Sequence, residues 1–270
     1  MITEQLKADA PHDRGQSTRR RDSKFMPTLI VVMPVFNEPA TLATAVARVK
    51  SAPLPHGWST QVVLVDDGSD APTRALVAAL GDSGDAKVLL HPQNRGKGAA
   101  IRSGFVHALS KAHADDCILV QDADLEYDPR DFAPLLAPAI AGEADLVLGN
   151  RFATAPIGLK RTLHRTLNGL LTLSSNLMTG LKVRDMECCL KLFTAPALAR
   201  VIADLDEERF GIEPQIVAAA ARHGLRVCEV PVTYAPRSFD EGKKIRMKDG
   251  LRVFVVLWRE RRRTARMRLR

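Results

Sequence analysis

Cys117-Ile118-Leu119-Val120-Gln121-Asp122-Ala123-Asp124 is the stretch on which the fold turns. Four unbroken apolar residues are too few for a helix and do not alternate, so they read as a strand buried on both faces. They run straight into a polar turn that carries two carboxylates two residues apart. The same grammar repeats on either side. Thr28–Met33 leads into Pro34-Val35-Phe36-Asn37-Glu38, and Gln61–Val65 into Asp66-Asp67-Gly68-Ser69. Lys87–Leu90 precedes Asn94-Arg95-Gly96-Lys97-Gly98, and Asp145–Gly149 leads into Asn150-Arg151. Helical segments separate them: Ala40–Lys50, Pro72–Leu80, Gly98–Ala112 (Ile101, Phe105, Val106 and Leu109 inward) and Pro129–Ile140. Buried strands alternating with helices predict an α/β fold, a mostly parallel sheet flanked by helices on both faces. In such a fold ligands bind beyond the carboxyl ends of the strands. Five polar clusters in register along that edge form a site.

After residue 151 the pattern changes. Residues 157–181 set Leu159, Leu163, Leu167, Leu170, Leu171, Leu173, Leu177, Met178 and Leu181 at helical spacing, behind first turns crowded with Lys160, Arg161, His164 and Arg165. This reads equally as a core helix and as a cationic amphipathic helix on a membrane surface. Helices are expected at Pro196–Ala203, Glu213–His223 and Asp249–Arg263, and a strand at Arg226–Tyr234, followed by a basic loop from Arg237 to Lys248. The longest apolar run, Val253 to Trp258, is far short of the ~20 residues a membrane-spanning helix needs. Residues 1–24 are polar, so no signal peptide is expected. Cys117, Cys188, Cys189 and Cys228 lack CxxC or Cys/His zinc spacing and read as reduced, buried thiols of a cytoplasmic protein.

The 270 residues carry 39 Lys+Arg and 31 Asp+Glu, a formal charge of +8. The surplus is not spread evenly. Residues 1–28 hold six basic and four acidic side chains, residues 259–270 seven Arg and one Glu, and the 230 residues between balance at 26 each. Within that body, residues 29–150 hold nine basic and 15 acidic side chains, and residues 151–258 hold 17 and 11. An acidic half joined to a basic half points to a cation site beside an anion site. The arginine-rich end also raises a non-catalytic reading, nucleic-acid binding. No aromatic residue interleaves with those arginines for base stacking, so no nucleic-acid partner is expected. An anionic membrane surface, met peripherally, suits them better.

Asp122-x-Asp124 is the sharpest element. On a regular strand these carboxylates point to opposite faces, and a turn brings them to one point. Mg²⁺ usually takes one or two carboxylates plus substrate phosphates. Asp122 and Asp124, with Glu126 as a third ligand, therefore predict a Mg²⁺ or Mn²⁺ site. Asp67 is placed to take a ribose or a base edge. Two phosphate-loop readings fail: Asn94–Gly98 lacks the first glycine and the Ser/Thr, and Glu241-Gly242-Lys243-Lys244 fails likewise. No dinucleotide fingerprint follows the first strand, since Pro34–Pro39 contains no glycine.

With these motifs in order, the sequence resembles the family 2 glycosyltransferases of GT-A fold. Gly149-Asn150-Arg151, Asp185-Met186-Glu187-Cys188-Cys189-Leu190-Lys191-Leu192-Phe193, Glu229-Val230-Pro231-Val232 and Tyr234-x-x-Arg237…Gly242-Lys243-Lys244-Ile245 are similar to the dolichol-phosphate mannose synthase-like branch. The resemblance covers about residues 28–258. It implies a nucleotide-sugar half (28–151) and an acceptor half (152–258), between a disordered basic N-terminal tail (1–27) and an Arg-rich C-terminal tail (259–270). It also implies that Pro34, Phe36, Glu38, Val65 and Asp67 hold the nucleotide. Asp122, Ala123 and Asp124 would meet the diphosphate, with Asp124 and Glu126 on the metal. Arg151, Arg237 and Lys244 would surround the phosphates, and Arg161, with Arg165, would receive the acceptor phosphate. Two departures stand out. Gly211 occupies the place of a lysine that some relatives use in the segment matching Arg209–Gln215, and Cys188-Cys189-Leu190 replaces Thr-Cys-Tyr.

The expected activity is metal-dependent, inverting transfer of a hexose from a nucleotide sugar, of GDP-mannose or UDP-glucose type, to polyprenyl or dolichyl phosphate. Asp122, Asp124 and Arg151 are the expected catalytic residues. A phosphomonoester arrives as an oxyanion at neutral pH, since its second pKa lies near ~6. It therefore needs cations for alignment rather than a general base. The alternative is the same fold acting on a hydroxyl of a glycan or glycolipid, which requires a base, with Asp185 or Glu187 as candidates. Either enzyme is expected in the cytoplasm, with peripheral contact to the cytoplasmic face of the membrane.

Overall fold

A computed structural model describes residues 26–153, 159–237 and 247–268, and for 159–165, 167, 247–251 and 266–268 the backbone alone. The expected tail at residues 1–27 lies almost wholly outside the described residues. The apolar runs become β1 (Thr28–Val35), β2 (Ser59–Asp66), β3 (Lys87–Leu90), β4 (Cys117–Val120) and β5 (Leu146–Asn150). Helices α1 (Leu42–Lys50), α2 (Ala71–Asp82), α3 (Lys97–Leu109) and α4 (Phe132–Ile140) lie between them. The second half adds α5 (Leu159–Thr179), β6 (Lys191–Thr194), α6 (Ala195–Val201), α7 (Ile212–Arg222), β7 (Val227–Pro231) and α8 (Met247–Arg268).

One seven-stranded sheet runs β3-β2-β1-β4-β6-β5-β7. Every pairing is parallel except those of β6, which lies antiparallel between β4 and β5. A reversed strand starts where its neighbours end. The segment leading into β6, Asp185–Leu190, is therefore delivered to the same edge as the carboxyl ends of β1, β2 and β4. The strand expected at Arg226–Tyr234 ends at Pro231, after which Val232 N–H still donates to Asn150 O at 3.1 Å and Tyr234 makes an isolated bridge to Tyr127.

The strands are buried because the helices cover them. On α3, Ile101, Phe105 and Ala108 face inward, while Val106 is exposed, against expectation. Gly104 lets that helix lie close, since a β-carbon there would stand 2.3 Å from Val32 Cγ1. On α5 the apolar residues divide: Leu171 and Met178 pack on the core, whereas Leu170, Leu173 and Leu177 are exposed. Phe254, Val255 and Trp258 of α8 are exposed as well. Among the described residues no helix is long and apolar enough to cross a membrane.

The boundary expected at 258/259 is crossed by α8 without a break. Glu260 is buried and accepts from Arg222 at 2.6 Å and from Gln215 at 3.0 Å. Arg259 and Arg263 both pair with Asp206, and Arg252 with buried Glu207 at 2.6 Å. Part of the basic surplus is thus spent in docking a helix.

Candidate active site

The loops after β1 and β2 lock each other in place. Asn37 adopts φ +52°, its N–H donates to Ser69 Oγ at 3.1 Å, and its Oδ1 accepts from Asp70 N–H at 2.8 Å. Pro34 and Val65 are paired across the two strands. Phe36 and Glu38 follow Pro34 at the rim, half-buried.

Asp67 is more committed than the sequence suggests. It is buried, and its Oδ1 meets His91 Nδ1 at 2.7 Å and accepts the Arg95 N–H at 2.9 Å. Its Oδ2 accepts the Gly96 N–H at 2.7 Å. Gly96 is required there, with φ +106° and a would-be β-carbon 2.5 Å from Glu208 O. The Ala99 N–H donates to that same carbonyl at 3.0 Å. Three N–H groups of the Asn94–Ala99 turn, those of Arg95, Gly96 and Ala99, are thus taken by Asp67 and Glu208.

The turn after β4 behaves differently. β4 ends at Val120, so Asp122 and Asp124 lie in a turn free of strand alternation, and Leu125 follows at φ +63°, a region bulky residues rarely enter. Asp124 Oδ1 accepts the Glu126 N–H at 3.1 Å, closing the turn. Asp122 receives Lys97 Nζ on Oδ2 at 2.9 Å. Asp124 and Glu126 turn toward Arg237 together with Glu38. Arg237 Nη1 donates to Glu38 Oε2 at 3.0 Å, and Nη2 to Asp124 Oδ2 at 3.2 Å. The Arg237 N–H donates to Glu126 Oε1 at 2.9 Å, and Tyr234 OH donates to Glu126 Oε2 at 2.8 Å. Burial, then the neighbouring Asp122 and Glu126, push the Asp124 carboxyl up to about 7. The donors are hard carboxylate oxygens in excess of nearby positive charge, which suits Mg²⁺ or Mn²⁺. Among the described residues, no three acidic, His or Cys side chains converge as a ligand cage.

On the basic side, Arg151 grips buried Asp185 in a fork, Nε to Oδ2 at 2.8 Å and Nη2 to Oδ1 at 2.7 Å. Its guanidinium carbon lies 5.2 Å from the Tyr234 ring centre. The turn holding Asp185 is pinned by Glu229 Oε1, which accepts from the Arg184 and Asp185 N–H groups at 2.7 and 2.8 Å. Lys244 lies outside the described residues, as do the side chains of Arg161 and Arg165. Glu187 is enclosed: burial and the nearby Glu213 raise its carboxyl to about 7, and Oε1 has no hydrogen-bond partner.

Sequence reasoning missed Lys97, Lys191 and Glu213. Lys191 is fully buried in β6, and Glu213 is buried in the first turn of α7. The available signal was a charged residue inside an apolar run, as in Leu190-Lys191-Leu192-Phe193.

Residues 30–202 match the family model described as Glycosyl transferase family 2, well over half of the chain. A polyprenol monophosphomannose synthase of Mycolicibacterium smegmatis is 28% identical over 247 residues, covering 86% of this chain and 88% of that protein. An undecaprenyl-phosphate 4-deoxy-4-formamido-L-arabinose transferase of Pseudomonas aeruginosa is 31% identical over 220 residues, 81% of this chain but 60% of that longer protein. Among solved structures, glucosyl-3-phosphoglycerate synthase from Mycobacterium tuberculosis, in complex with Mn²⁺, UDP and phosphoglyceric acid, superposes with a TM-score of 0.62. It is 22% identical and matches 87% of this chain and 78% of that one. The likeness establishes a GT-A-like fold.

Proposed function

We propose that this chain, which belongs to glycosyl transferase family 2, moves a hexose from a nucleotide sugar to a polyprenyl phosphate. The observation that carries the reading is the carboxylate edge of Asp122, Asp124, Glu126 and Glu38 beside Arg237, at the carboxyl ends of β1 and β4. In this reading the turn after β4 meets the donor diphosphate, and Asp124 and Glu126 hold Mg²⁺ or Mn²⁺. A divalent cation there would offset negative charge on the departing diphosphate.

The chain's own residues supply the rest. Pro34, Phe36 and Val65 bound the nucleotide, while Asp67 acts through the loop it organises. Arg237 sits where it can pass from the carboxylates to a phosphate. An acceptor phosphate needs no proton removed, so the basic half aligns it, with Arg161 and Lys244 proposed as its contacts and Arg151 as the clamp that holds the Asp185 turn. One anomeric C–O bond forms to the acceptor as the bond to the diphosphate breaks, with inversion. The exposed Leu170, Leu173 and Leu177 on α5 and Phe254, Val255 and Trp258 on α8, flanked by arginines, support peripheral contact with an anionic membrane.

One observation favours a second reading. Glu187, an enclosed carboxyl raised to about 7, has the character of a general base for a hydroxyl acceptor. One experiment separates the two. Purified enzyme is given labelled UDP-glucose or GDP-mannose, Mn²⁺, and undecaprenyl phosphate in phosphatidylglycerol vesicles. Labelled lipid, lost with Asp124→Ala and kept with Glu187→Gln, is the expected result. Transfer seen only when a glycan or glycolipid hydroxyl replaces the lipid phosphate, and abolished by Glu187→Gln, would favour the hydroxyl reading, and no transfer from any common donor would sink the first.

A further inference from the structure

From the carboxylate edge four charged side chains of alternating sign run inward, from half-buried Asp122 and Lys97 to buried Glu213 and Lys191. Asp122 Oδ2 accepts from Lys97 Nζ at 2.9 Å. Lys97 Nζ also forms an ion pair with Glu213 Oε1 at 3.1 Å. The other oxygen of Glu213 accepts from Lys191 Nζ at 2.5 Å. Lys191 completes its three donors on the carbonyls of Met186, at 3.0 Å, and Cys188. The chain therefore begins at the turn after β4 and ends on the Asp185–Leu190 segment, the one that β6 brings to the same edge. It crosses the first turns of α3 and α7, and Lys191 stands opposite Val120, two residues before Asp122.

Stability alone is a poor explanation for such a chain. Desolvating paired charges offsets most of their attraction, and apolar residues of similar volume serve the core as well or better. What an ion chain adds is register, because each partner is held at one distance from the next. We infer that Lys191 and Glu213 are positioning residues for sugar transfer, setting Asp122 of the donor turn against the Asp185–Leu190 segment through Lys97. The inference rests on the proposed transfer function. It concerns neither half-site's affinity but the placement of one relative to the other. Displacements of about 1 Å between reacting partners cost on the order of 10²-fold in rate.

The test is release of UDP from UDP-glucose, or GDP from GDP-mannose, by the full chain with Mn²⁺, with and without undecaprenyl phosphate. Glu213→Asp keeps the charge and withdraws the carboxylate by one methylene. The expected result is kcat lower by about tenfold or more, donor and acceptor KM within about threefold, and an unchanged Tm. The pair Lys191→Met with Glu213→Gln removes one charge of each sign. Its Tm is expected above that of either single substitution while kcat stays low. A kcat within about threefold of the natural chain in either variant overturns the inference, as does a change confined to KM. If the natural chain releases nucleotide without any dependence on undecaprenyl phosphate, the acceptor reading falls, and the two variants still decide the positioning role by the same rates. No release from the natural chain with any donor defeats both.

Discussion

Two aspartate pairs end two strands of one sheet and meet opposite fates. Asp66 and Asp67, after β2, turn inward: Asp66 accepts from Ser69 N–H at 3.0 Å, and Asp67 is taken by His91, Arg95 and Gly96. Asp122 and Asp124, after β4, stay at the rim, where Lys97 and Arg237 face the four carboxylates of Asp122, Asp124, Glu126 and Glu38, with the Asp124 carboxyl pushed up to about 7. Three of the first pair's four oxygens are taken by N–H groups or the His91 ring, and the fourth, Asp66 Oδ2, lies 3.7 Å from Arg74 Nε. The second pair shares Lys97 and Arg237 with other carboxylates and keeps a surplus of negative charge. A carboxylate's position on a strand end is the same in both cases. What differs is how many donors its neighbours supply.

The largest test of that contrast is a matched pair of isosteric substitutions. Asp124→Asn is expected to lower transfer by about 10²-fold or more, with Tm unchanged or raised. Asp67→Asn is expected to reduce stability by about 1–3 kcal/mol and to slow transfer much less. Activity assays beside thermal melts read both, and the opposite pattern would break the comparison.

A second test uses pH. Asp124 has a folded-state pKa raised from 3.8 to about 7. A carboxyl raised in this way stabilises the fold when protonated. Its contribution is full below the unfolded value and is lost as pH rises through the folded one. The Tm of the metal-free protein should therefore fall between about pH 4 and pH 7, and fall less in Asp124→Asn. Parallel slopes for the two proteins would remove the Asp124 contribution. The smallest effect is expected at Glu126. Glu126→Gln keeps an acceptor for Tyr234 OH but removes one of the two proposed metal carboxylates, so Mn²⁺ affinity measured by titration should weaken by about tenfold or more. A smaller loss would take Glu126 out of the metal's ligands and leave the surplus with the aspartates.

Much of the fold was legible because unalternating apolar runs occur where helices cannot form, as in Ile30–Met33 and Ile118–Val120. The direction of β6 was not, since Lys191 interrupts its apolar pattern and direction follows from pairing rather than from residue type. The rim of the site was legible through position: Glu38, Asp124 and Glu126 follow strands closely, and Arg237 shares a motif with Tyr234. Lys97, Lys191 and Glu213 were not, because the one local sign, a charge set in an apolar run as at Lys191, names no partner when that partner lies 22 or more residues away. Asp67 was placed correctly on its strand end, but its three partners come from a later turn that sequence alone does not fold back onto it. The arginine block read as a tail because its anchors, Asp206 and Glu260, are not recognisable until α8 is docked.

The single reversed strand has a consequence for synthesis on the ribosome. β4 and β5 follow one another in the chain but never touch, because β6 lies between them, and β5 pairs only with β6 and β7. A nascent chain that has emerged as far as Asn150 holds β1 to β4 with one edge of β4 open, and a β5 with nothing to pair with. An unpaired edge invites association with other chains, and it is closed only when Lys191–Thr194 arrives. The acidic half is therefore not a folding unit of its own: the element that completes its sheet is encoded in the basic half and enters the core with a lysine at its head.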